Sequence, residues 1–531
     1  MDVDHWFVQA GTFGKAQIIY CSLLAGGQVL GAFQMVFMVF AGAATPFKCV
    51  PDSNKNATRL TAMDPCEALR VGNCKTLLFT PARRTIITVV SEWDLVCDDA
   101  NKVNWIQSLF MFGVLVGAVG FGFVSDAIGR KRTIFISLVI MVLSTLYGCI
   151  SQRLLFFALS RFIAGVGVAG FGIATFVLGS ELLSESKRTL FALFYSGSFA
   201  IGICALAGIA HLLPQWRHYA LAIGALTSFA LVPLYILPES PRWLVSQCRI
   251  KEARALMNKI ARLNGTSLNR QSLSPSRRQS EDITGGDGLV ERETMLPDHA
   301  SDASDSEKAK LPKEGFSSML SNWILTKWTL IQVYSWLSNS CVYYGLTMAA
   351  GNLSPNLYQN VVLTGLAELP GYIVLGFVVN RWRRKTLIVG SMILGGISCI
   401  AIMFVASGDS SKSLQLRNLL ALMGKGAIAT SFAMIFIHSG ECFPTVFRNA
   451  GLGICSMSAR FGGMIAPVIT LLGDTSPGLV YFVFGMFGLT SGLLNMMLPE
   501  TFGKPLPETA TEMLESFGYK SETVRAPVEK S

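Results

Sequence analysis

The chain has 531 residues, of which 51% are hydrophobic and only 15% charged, with a formal net charge of +10. This composition excludes an ordinary soluble globular protein. The sequence contains no nucleotide-binding motif, no nucleophile–base arrangement and no metal-ligand spacing of Cys and His, so we expect no enzyme, no cofactor and no metal. The positive charge lies largely in loops beside apolar stretches, which is typical of membrane topology and not of nucleic-acid binding.

Apolar stretches long enough to cross a bilayer recur along the chain. We predict twelve spans, at 18–40, 105–124, 133–150, 154–179, 190–213, 219–237, 328–350, 357–379, 387–406, 414–439, 450–472 and 478–498. The short loops on one face hold ten lysines and arginines and those on the other face hold three. This asymmetry predicts that both termini, 1–17 and 499–531, lie in the cytoplasm. No cleavable signal peptide is evident, because the first apolar run is long and no small-residue cleavage site follows it.

The segment 41–104, between the first two spans, is far longer than a connector needs, so we predict a small folded extracellular cap. It contains Cys49, Cys66, Cys74 and Cys97, which predict two disulfides with three connectivities open. Asn56 begins an Asn-Ala-Thr acceptor sequence and is predicted to carry a glycan.

The turn between the second and third spans reads Gly-Phe-Val-Ser-Asp126-Ala-Ile-Gly-Arg130-Lys-Arg. Its glycines favour a tight turn, and Asp126 can lie near the positive end of a neighbouring helix. The pattern resembles the loop between the second and third helices of the major facilitator superfamily of transporters. An ordinary positive-inside loop is the alternative.

The second half of the chain repeats motifs of the first at nearly constant spacing. Gly-Phe-Val-Ser-Asp126 returns as Gly-Phe-Val-Val-Asn380, an offset of 254, and Leu-Pro-Glu239 returns as Leu-Pro-Glu500, an offset of 261. This predicts two six-helix halves, 18–237 and 328–498, with a substrate path between them, as in facilitator transporters. A third match has an offset of 260: Glu181, followed seven residues later by Arg188, returns as Glu441, followed seven residues later by Arg448. We assign gate or helix-end pairing to Asp126, Arg130, Arg161, Glu181, Arg188, Glu441 and Arg448.

The stretch 238–327 between the halves is predicted to be a cytoplasmic linker. Residues 251–262 form a charged amphipathic pattern that predicts a helix along the membrane face. Residues 265–315 are rich in Ser, Gly, Asp and Glu and cannot bury a core, so we predict disorder. Within them Arg-Arg-Gln-Ser280-Glu resembles a phosphorylation site of a basophilic kinase, with a solvated tether as the alternative.

Three motifs narrow the resemblance from the major facilitator superfamily to one of its families. They are Glu92-Trp-Asp-Leu-Val-Cys-Asp, Pro238-Glu-Ser-Pro-Arg-Trp-Leu and Glu441-Cys-Phe-Pro-Thr-Val-Phe-Arg. Together they resemble the organic cation, carnitine and organic anion transporters of solute carrier family 22. Val342-Tyr-Tyr-Gly-Leu-Thr looks most like the member 15 branch of that family, which is associated with zwitterions such as ergothioneine and carnitine. The resemblance implies an all-α membrane protein with the major facilitator fold, twelve transmembrane helices and a large extracellular loop between helices 1 and 2.

Two opposite charges fall near the middle of predicted spans, namely Glu368 and Arg460. An ionisable side chain at mid-bilayer costs about 2.5–3.5 kcal/mol on insertion scales, so each needs a partner or a function. The two could bridge each other permanently, or they could divide a zwitterion between them. Lys425, also well inside a span, could neutralise Glu368 or contact an anionic group.

The family resemblance favours a binding role for these residues. It implies that Arg460 stands where carnitine and anion carriers have an arginine, which suits a carboxylate. Trp336 and Tyr343 align with cavity aromatics of the cation carriers, and with Tyr344 they could face an ammonium group; helix packing is the alternative. The predicted substrate-binding set is therefore Trp336, Tyr343, Tyr344, Glu368, Lys425 and Arg460.

The sequence thus predicts a multi-pass plasma-membrane carrier of small organic ions, most simply zwitterions or cations of the carnitine and ergothioneine type, working by alternating access. Its partners are the substrate, the lipid bilayer and, left open, a coupling sodium ion or proton. One alternative is an organic anion exchanger that relies on Arg460 and Lys425. Another is a receptor or scaffold that transports nothing.

Overall fold

The computed structural model describes residues 3–51, 65–70, 74–79, 87–266, 322–349, 356–405, 411–444, 448–474, 476–504 and 510–518. Its first part contains α1 (Val3–Ala10), α2 (Lys15–Ala41), β1 (Phe47–Pro51), α3 (Pro65–Arg70), β2 (Cys74–Phe79), α4 (Val89–Glu92), α5 (Asn101–Ile128), α6 (Arg130–Ile150), α7 (Leu154–Glu181), α8 (Glu185–Leu212) and α9 (Trp216–Phe229). Its second part contains α10 (Pro241–Ser246), α11 (Ile250–Asn264), α12 (Trp323–Ala349), α13 (Leu357–Val378), α14 (Arg384–Val405), α15 (Ser411–Cys442), α16 (Arg448–Thr470), α17 (Pro477–Asn495) and α18 (Ala510–Ser516).

Among the described residues, eleven helices are long and apolar enough to cross a membrane, and they coincide with eleven of the predicted spans. The remaining predicted span, 328–350, falls on α12. The buried surface of α12 carries amide and hydroxyl side chains such as Gln332, Ser335 and Asn339, which lower its hydropathy. Its crossing of the membrane stays a prediction.

The long helices pack through small residues. In the first half α5 and α6 pack on α7, and in the second half α12 packs on α16 and α14 on α17. A Cβ at Gly113 of α5 would lie 2.1 Å from the backbone oxygen of Phe162, and one at Gly165 of α7 would lie 2.2 Å from that of Phe110. Only glycine permits this approach, as is usual between membrane helices.

The two sets of helices meet along two seams, where α5 packs on α16 and α8 packs on α13. At the first seam the Ser108 hydroxyl donates a hydrogen bond of 3.0 Å to the backbone oxygen of Met464. At the second seam the Cys204 thiol donates to the backbone oxygen of Val362 at 3.5 Å.

The described parts of the segment 41–104 contain an antiparallel pair of strands, β1 and β2. Two disulfides resolve the connectivity that the sequence left open, Cys49–Cys74 and Cys66–Cys97. The first joins the two strands to each other, and the second joins α3 to the residues just before α5, so the second ties the segment to the start of α5. Asn56 lies outside the described residues.

The connection after α9 folds back as the short helices α10 and α11. The predicted amphipathic helix is present as α11, and it buries Ala253, Met257 and Ile260. Asn264, at the end of α11, donates to the backbone oxygen of Ala10 at 2.7 Å and accepts from the backbone nitrogen of Ala16 at 2.9 Å. This residue fixes α1 and the start of α2 to α11. From residue 267 the predicted disordered stretch, including Ser280, lies outside the described residues.

Candidate substrate site and gates

The candidate site begins with a close contact between α13 and α15. A Cβ at Gly371 of α13 would lie 2.1 Å from the Thr430 hydroxyl oxygen, and a Cβ at Gly426 of α15 would lie 2.6 Å from the backbone oxygen of Ala367. The two glycines let the helices approach each other, and this approach brings Lys425, beside Gly426, to Glu368, beside Ala367.

Glu368 is fully buried and its carboxylate has three polar partners. The Lys425 ammonium lies 3.2 Å from Oε1, the Tyr343 hydroxyl donates at 2.8 Å to Oε1, and the Tyr372 hydroxyl donates at 3.1 Å to Oε2. Tyr372 is four residues from Glu368, one helical turn along α13, so the helix itself orients this pair. A buried carboxylate with a cation and two hydroxyl donors is satisfied without any ligand.

Lys425 is also fully buried and has further partners on α12. Its ammonium donates to the Thr347 hydroxyl at 2.6 Å and to the backbone oxygen of Tyr343 at 3.1 Å. It also stands 3.1 Å from the centroid of the Tyr343 ring, a cation–π contact. Of the two roles that the sequence left open for Lys425, the structure thus shows the ion pair with Glu368, and contact with an anionic group stays a prediction.

A cavity of about 240 Å³ lies between the two halves on one side of this network. Tyr343, Tyr344 and Tyr372 line it, so that hydroxyl groups and ring faces separate the cavity from the ion pair, whose residues Glu368 and Lys425 are not among its lining residues. The other half contributes α2, α5, α7 and α8, so the cavity has a wall from each half.

Arg460 of α16 lines this cavity. Among the described residues its Nε atom is buried and has no hydrogen-bond partner. No salt bridge joins Arg460 to Glu368 within the described structure, because Glu368 is already bound to Lys425. The permanent Glu368–Arg460 bridge considered from the sequence is therefore absent, and Arg460 is the charged residue that faces the cavity.

Trp336 lies behind the cavity wall and is not one of its lining residues. Its indole N–H donates to the Ser439 hydroxyl at 2.9 Å, and its ring packs edge-on against Phe436, with centroids 4.3 Å apart. Phe436 and Phe432 are cavity residues that the sequence reasoning did not single out. They are ordinary apolar residues in a span, and no local signal marks them.

A second cavity, of about 570 Å³, lies at the ends of α2 and α12 next to the residues that precede α5. Met35 and Tyr344 line both cavities. The Tyr344 hydroxyl lies 3.9 Å from the Met35 sulfur. This contact between one residue of each half separates the two spaces.

Arg161, assigned from the sequence to a gate or helix end, lies inside the first half. Its guanidinium donates to the Gln34 side-chain oxygen at 2.8 Å and to the Gln34 backbone oxygen at 2.7 Å. It stands between the rings of Phe37 and Phe110, 4.6 and 4.5 Å from their centroids. These contacts join α7 to α2 and α5, so Arg161 packs these helices together.

At the end of the first half, Arg130 binds two acids. Its guanidinium donates to both carboxylate oxygens of Glu181, at 3.0 and 3.1 Å, and lies 3.1 Å from Asp126. Glu239, which follows the last span, accepts from the backbone nitrogen of Arg130 at 2.9 Å. A carboxylate at a helix N-terminus is stabilised by the free N–H groups there, so Glu239 caps α6.

The second half repeats this arrangement. The Arg384 guanidinium lies 3.2 Å from Glu441, and its backbone nitrogen donates to Glu500 at 3.0 Å. Arg384, Glu441 and Glu500 stand 254, 260 and 261 residues after Arg130, Glu181 and Glu239, the same offsets as in the sequence motifs. Sequence reasoning missed Arg384, although applying the first offset to Arg130 would have found it.

Arg188 and Arg448 occupy the first turns of α8 and α16 in the two halves. The Arg448 Nε donates to the backbone oxygen of Phe443 at 3.3 Å, which closes the turn after α15. Both residues stand at the same end of their halves as the Arg–Glu pairs, and their role in a gate stays a prediction.

Two halves with a cavity between them and repeated ion pairs at one end define a facilitator-type transporter. The fold agrees with solved structures: the chain matches the inward-open xylose transporter XylE from E. coli with a TM-score of 0.61, covering 92% of this chain and 98% of that one. Their sequences are 16% identical, so this likeness concerns the fold alone. The profile of the family described as "Sugar (and other) transporter" matches residues 88–513.

More similar relatives narrow the family. The chain is 32% identical to solute carrier family 22 member 15 of Xenopus tropicalis over 522 residues, 97% of this chain and 91% of that protein. It is 35% identical to an organic cation transporter protein of Drosophila melanogaster over 433 residues, 82% and 75% of the two chains. The human organic cation/carnitine transporter 2 is 29% identical over 438 residues, 82% and 73%. The chain belongs to solute carrier family 22 of the major facilitator superfamily.

Proposed function

We propose that the chain carries small zwitterions of the carnitine and ergothioneine type across the plasma membrane by alternating access, with both termini in the cytoplasm. In this proposal the halves 18–237 and 328–498 rock about the cavity, and the segment 41–104 forms the extracellular cap. The linker 238–327 and the tail 499–531 are cytoplasmic.

The observation that carries this proposal is the position of Arg460 in the cavity and its Nε atom, which is unpaired in the described structure. Its guanidinium lines the cavity with Nε unpaired among the described residues, whereas the other two midplane charges neutralise each other. A guanidinium that lines a cavity is best matched by a carboxylate, which it can bind with two parallel hydrogen bonds. We therefore assign the substrate carboxylate to Arg460.

The aromatic residues that line the cavity suit the cationic end of a zwitterion. Tyr343 and Tyr344 stand edge to face with their centroids 5.3 Å apart, and Phe432 stacks on Tyr343 at 5.9 Å. An ammonium group is attracted to the faces of aromatic rings. One face of Tyr343 is already occupied by the Lys425 ammonium, so Tyr344 and Phe432 are the rings available to the substrate. The cavity thus combines a guanidinium for the carboxylate with aromatic rings for the ammonium group, as a zwitterion requires.

The proposal is tested in proteoliposomes with three labelled compounds: carnitine, choline and an aromatic carboxylate. Choline keeps the quaternary ammonium and lacks the carboxylate, so the pair with carnitine isolates the contribution of Arg460. We expect saturable uptake of carnitine or ergothioneine and much weaker uptake of choline. Uptake of choline as efficient as that of carnitine, unaffected by Arg460→Gln, would contradict the assignment.

Organic anion transport is the second candidate, and one observation favours it. With Glu368 neutralised by Lys425, the three midplane charges leave one net positive charge, which also suits an anion without an ammonium group. Uptake of the aromatic carboxylate without uptake of carnitine would establish this candidate. Repeating each uptake with and without a sodium gradient, and with and without a proton gradient, identifies any coupling ion.

A further inference from the structure

A third cavity, of about 1140 Å³, lies outside the transport path, on the outer surface of the first half. It opens between the first turns of α6, the chain that follows α9, and the helices α10 and α11. It stands at the same end of the helical sector as the Arg130–Glu181 pair. Under the proposed orientation this is the cytoplasmic surface of the membrane.

Four cationic side chains line this cavity: Lys131, Arg132, Arg249 and Lys259. Within the described part of the chain, no acidic side chain lies within salt-bridge distance of Lys131, Arg132 or Lys259. Two acids also line the cavity, and Glu239 lies close enough to Lys131 to attract it electrostatically. Glu239 accepts hydrogen bonds from the backbone nitrogens that begin α6, and Glu252 pairs with Arg249 at 2.7 Å.

The walls below these cations are apolar and open to the surroundings. Phe135 and Ile136, one helical turn after Lys131 and Arg132, are 52% and 38% exposed. Tyr235, another residue that lines the cavity, is 90% exposed. Cationic side chains thus stand at the level of the helix ends, and exposed apolar side chains continue from them into the lipid-facing surface.

This order of charge and apolar surface matches a phospholipid and does not match a soluble metabolite. We infer that the cavity binds an anionic phospholipid, with its phosphorylated headgroup between Lys131, Arg132 and Lys259 and its acyl chains along Phe135 and Tyr235. Basic pockets beside the cytoplasmic ends of membrane helices are where such headgroups are held. The site differs from the substrate cavity and does not depend on the proposed substrate.

The second half supplies a matched control. Lys385 is the repeat counterpart of Lys131, 254 residues on, but Thr386 stands where the first half has Arg132. Lys251 is exposed on α11, like Lys259, yet it does not line the cavity. The variant K251Q/K385Q therefore removes the same charge from the same kinds of helix without touching the cavity.

The test measures binding of short-chain phosphatidylinositol bisphosphate to the purified full chain in neutral detergent, for example by native mass spectrometry. Each basic group near an anionic headgroup contributes ~1 kcal/mol, so K131Q/K259Q should weaken binding about 30-fold. K251Q/K385Q should bind as the unmodified chain does. If the double variant does not purify, K259Q alone, at an exposed position, should weaken binding about fivefold.

Two further probes identify the occupant. Phosphatidylcholine of the same chain length should bind weakly, and the free inositol phosphate headgroup should bind weakly because it cannot use the apolar walls. Equal loss of binding in K131Q/K259Q and K251Q/K385Q would mean that lipid binding depends only on the overall surface charge and not on this cavity. Equal binding of the free headgroup would assign the cavity to a soluble phosphorylated ligand, and equal binding of phosphatidylcholine would exclude headgroup recognition; each of these results overturns the inference.

Discussion

The Lys425 ammonium lies 3.2 Å from Glu368 Oε1 and 3.1 Å from the centroid of the Tyr343 ring, with both charged side chains fully buried. The pair joins α13 to α15 and, through Tyr343, to α12. Because Lys425 is the partner of Glu368, Arg460 is left as the charge that faces the cavity. The proposed binding of substrate by Arg460 depends on this difference between Arg460 and the Glu368–Lys425 pair.

The first prediction concerns the stability of this pair. Removing one partner of a buried ion pair strands the other charge and costs about 3–5 kcal/mol, whereas removing both is often nearly neutral. We expect Glu368→Gln and Lys425→Met each to lower the melting temperature of the detergent-solubilised protein, and the double variant to recover most of the loss. The melting temperature is measured by heating samples of each variant and quantifying the remaining folded protein by size-exclusion chromatography. Additive losses would show that the two residues do not act as a pair.

A second prediction concerns Arg460. Arg460→Gln removes at least one hydrogen bond to a charged ligand, which contributes about 1.5–3 kcal/mol, so kcat/KM for uptake of a carboxylate substrate should fall at least roughly 10- to 100-fold. Surface expression should persist, because the Nε atom of Arg460 has no protein partner in the described structure.

Arg460→Lys is the control for that experiment. Lysine keeps the charge but loses the planar fork, so it should restore part of the uptake. Equal uptake by the Gln variant and the unmodified chain would mean that Arg460 has no contact with substrate.

The third prediction concerns the repeated ion pairs. Arg384→Gln removes the contact with Glu441, and a hydrogen bond between charged groups contributes about 1.5–3 kcal/mol, enough to shift a two-state equilibrium about tenfold or more. We expect a fall in maximal uptake at normal surface expression, matched by Arg130→Gln in the first half.

Arg383→Gln, at the exposed neighbour of Arg384, should leave uptake unchanged. The charge-exchanged variant R384E/E441R should regain part of the uptake that Arg384→Gln loses. If Arg383→Gln is as harmful as Arg384→Gln, the general charge of the turn matters and the specific pair does not.

The fourth prediction concerns the disulfides. Cys66→Ser should leave Cys97 as a reactive thiol on intact cells, while Cys49 and Cys74 stay unlabelled, because the two bridges are independent. Losing a bridge across 31 residues should cost about 3.7 kcal/mol of stability in the loop-entropy model. Mass spectrometry of labelled peptides measures the pattern, and labelling of Cys49 or Cys74 in this variant would contradict the connectivity.

Asn56→Gln tests the predicted glycan by its effect on electrophoretic mobility.

The amino-acid sequence by itself determined the class of fold, because length, hydropathy and the alternation of loop charge are properties of short stretches. It also determined the duplication, since the offsets 254, 260 and 261 can be counted along the chain. The same offsets mark corresponding ion pairs in space, Arg130–Glu181 and Arg384–Glu441. What can be counted along the chain could be predicted from it.

Only the tertiary structure decided which charges meet. Lys425 and Arg460 are both basic residues near the middle of a helix, and the sequence does not say which helix lies beside α13. Gly371 and Gly426 decide this, because their missing side chains let α15 approach α13 closely enough for Lys425 to reach Glu368. Likewise Trp336 lies behind Phe436 instead of in the cavity, since the rotation of α12 depends on the helices packed around it. Which charged residues pair, and which way a helix turns its side chains, depend on packing between segments that are distant in the chain. No local sequence pattern records that packing.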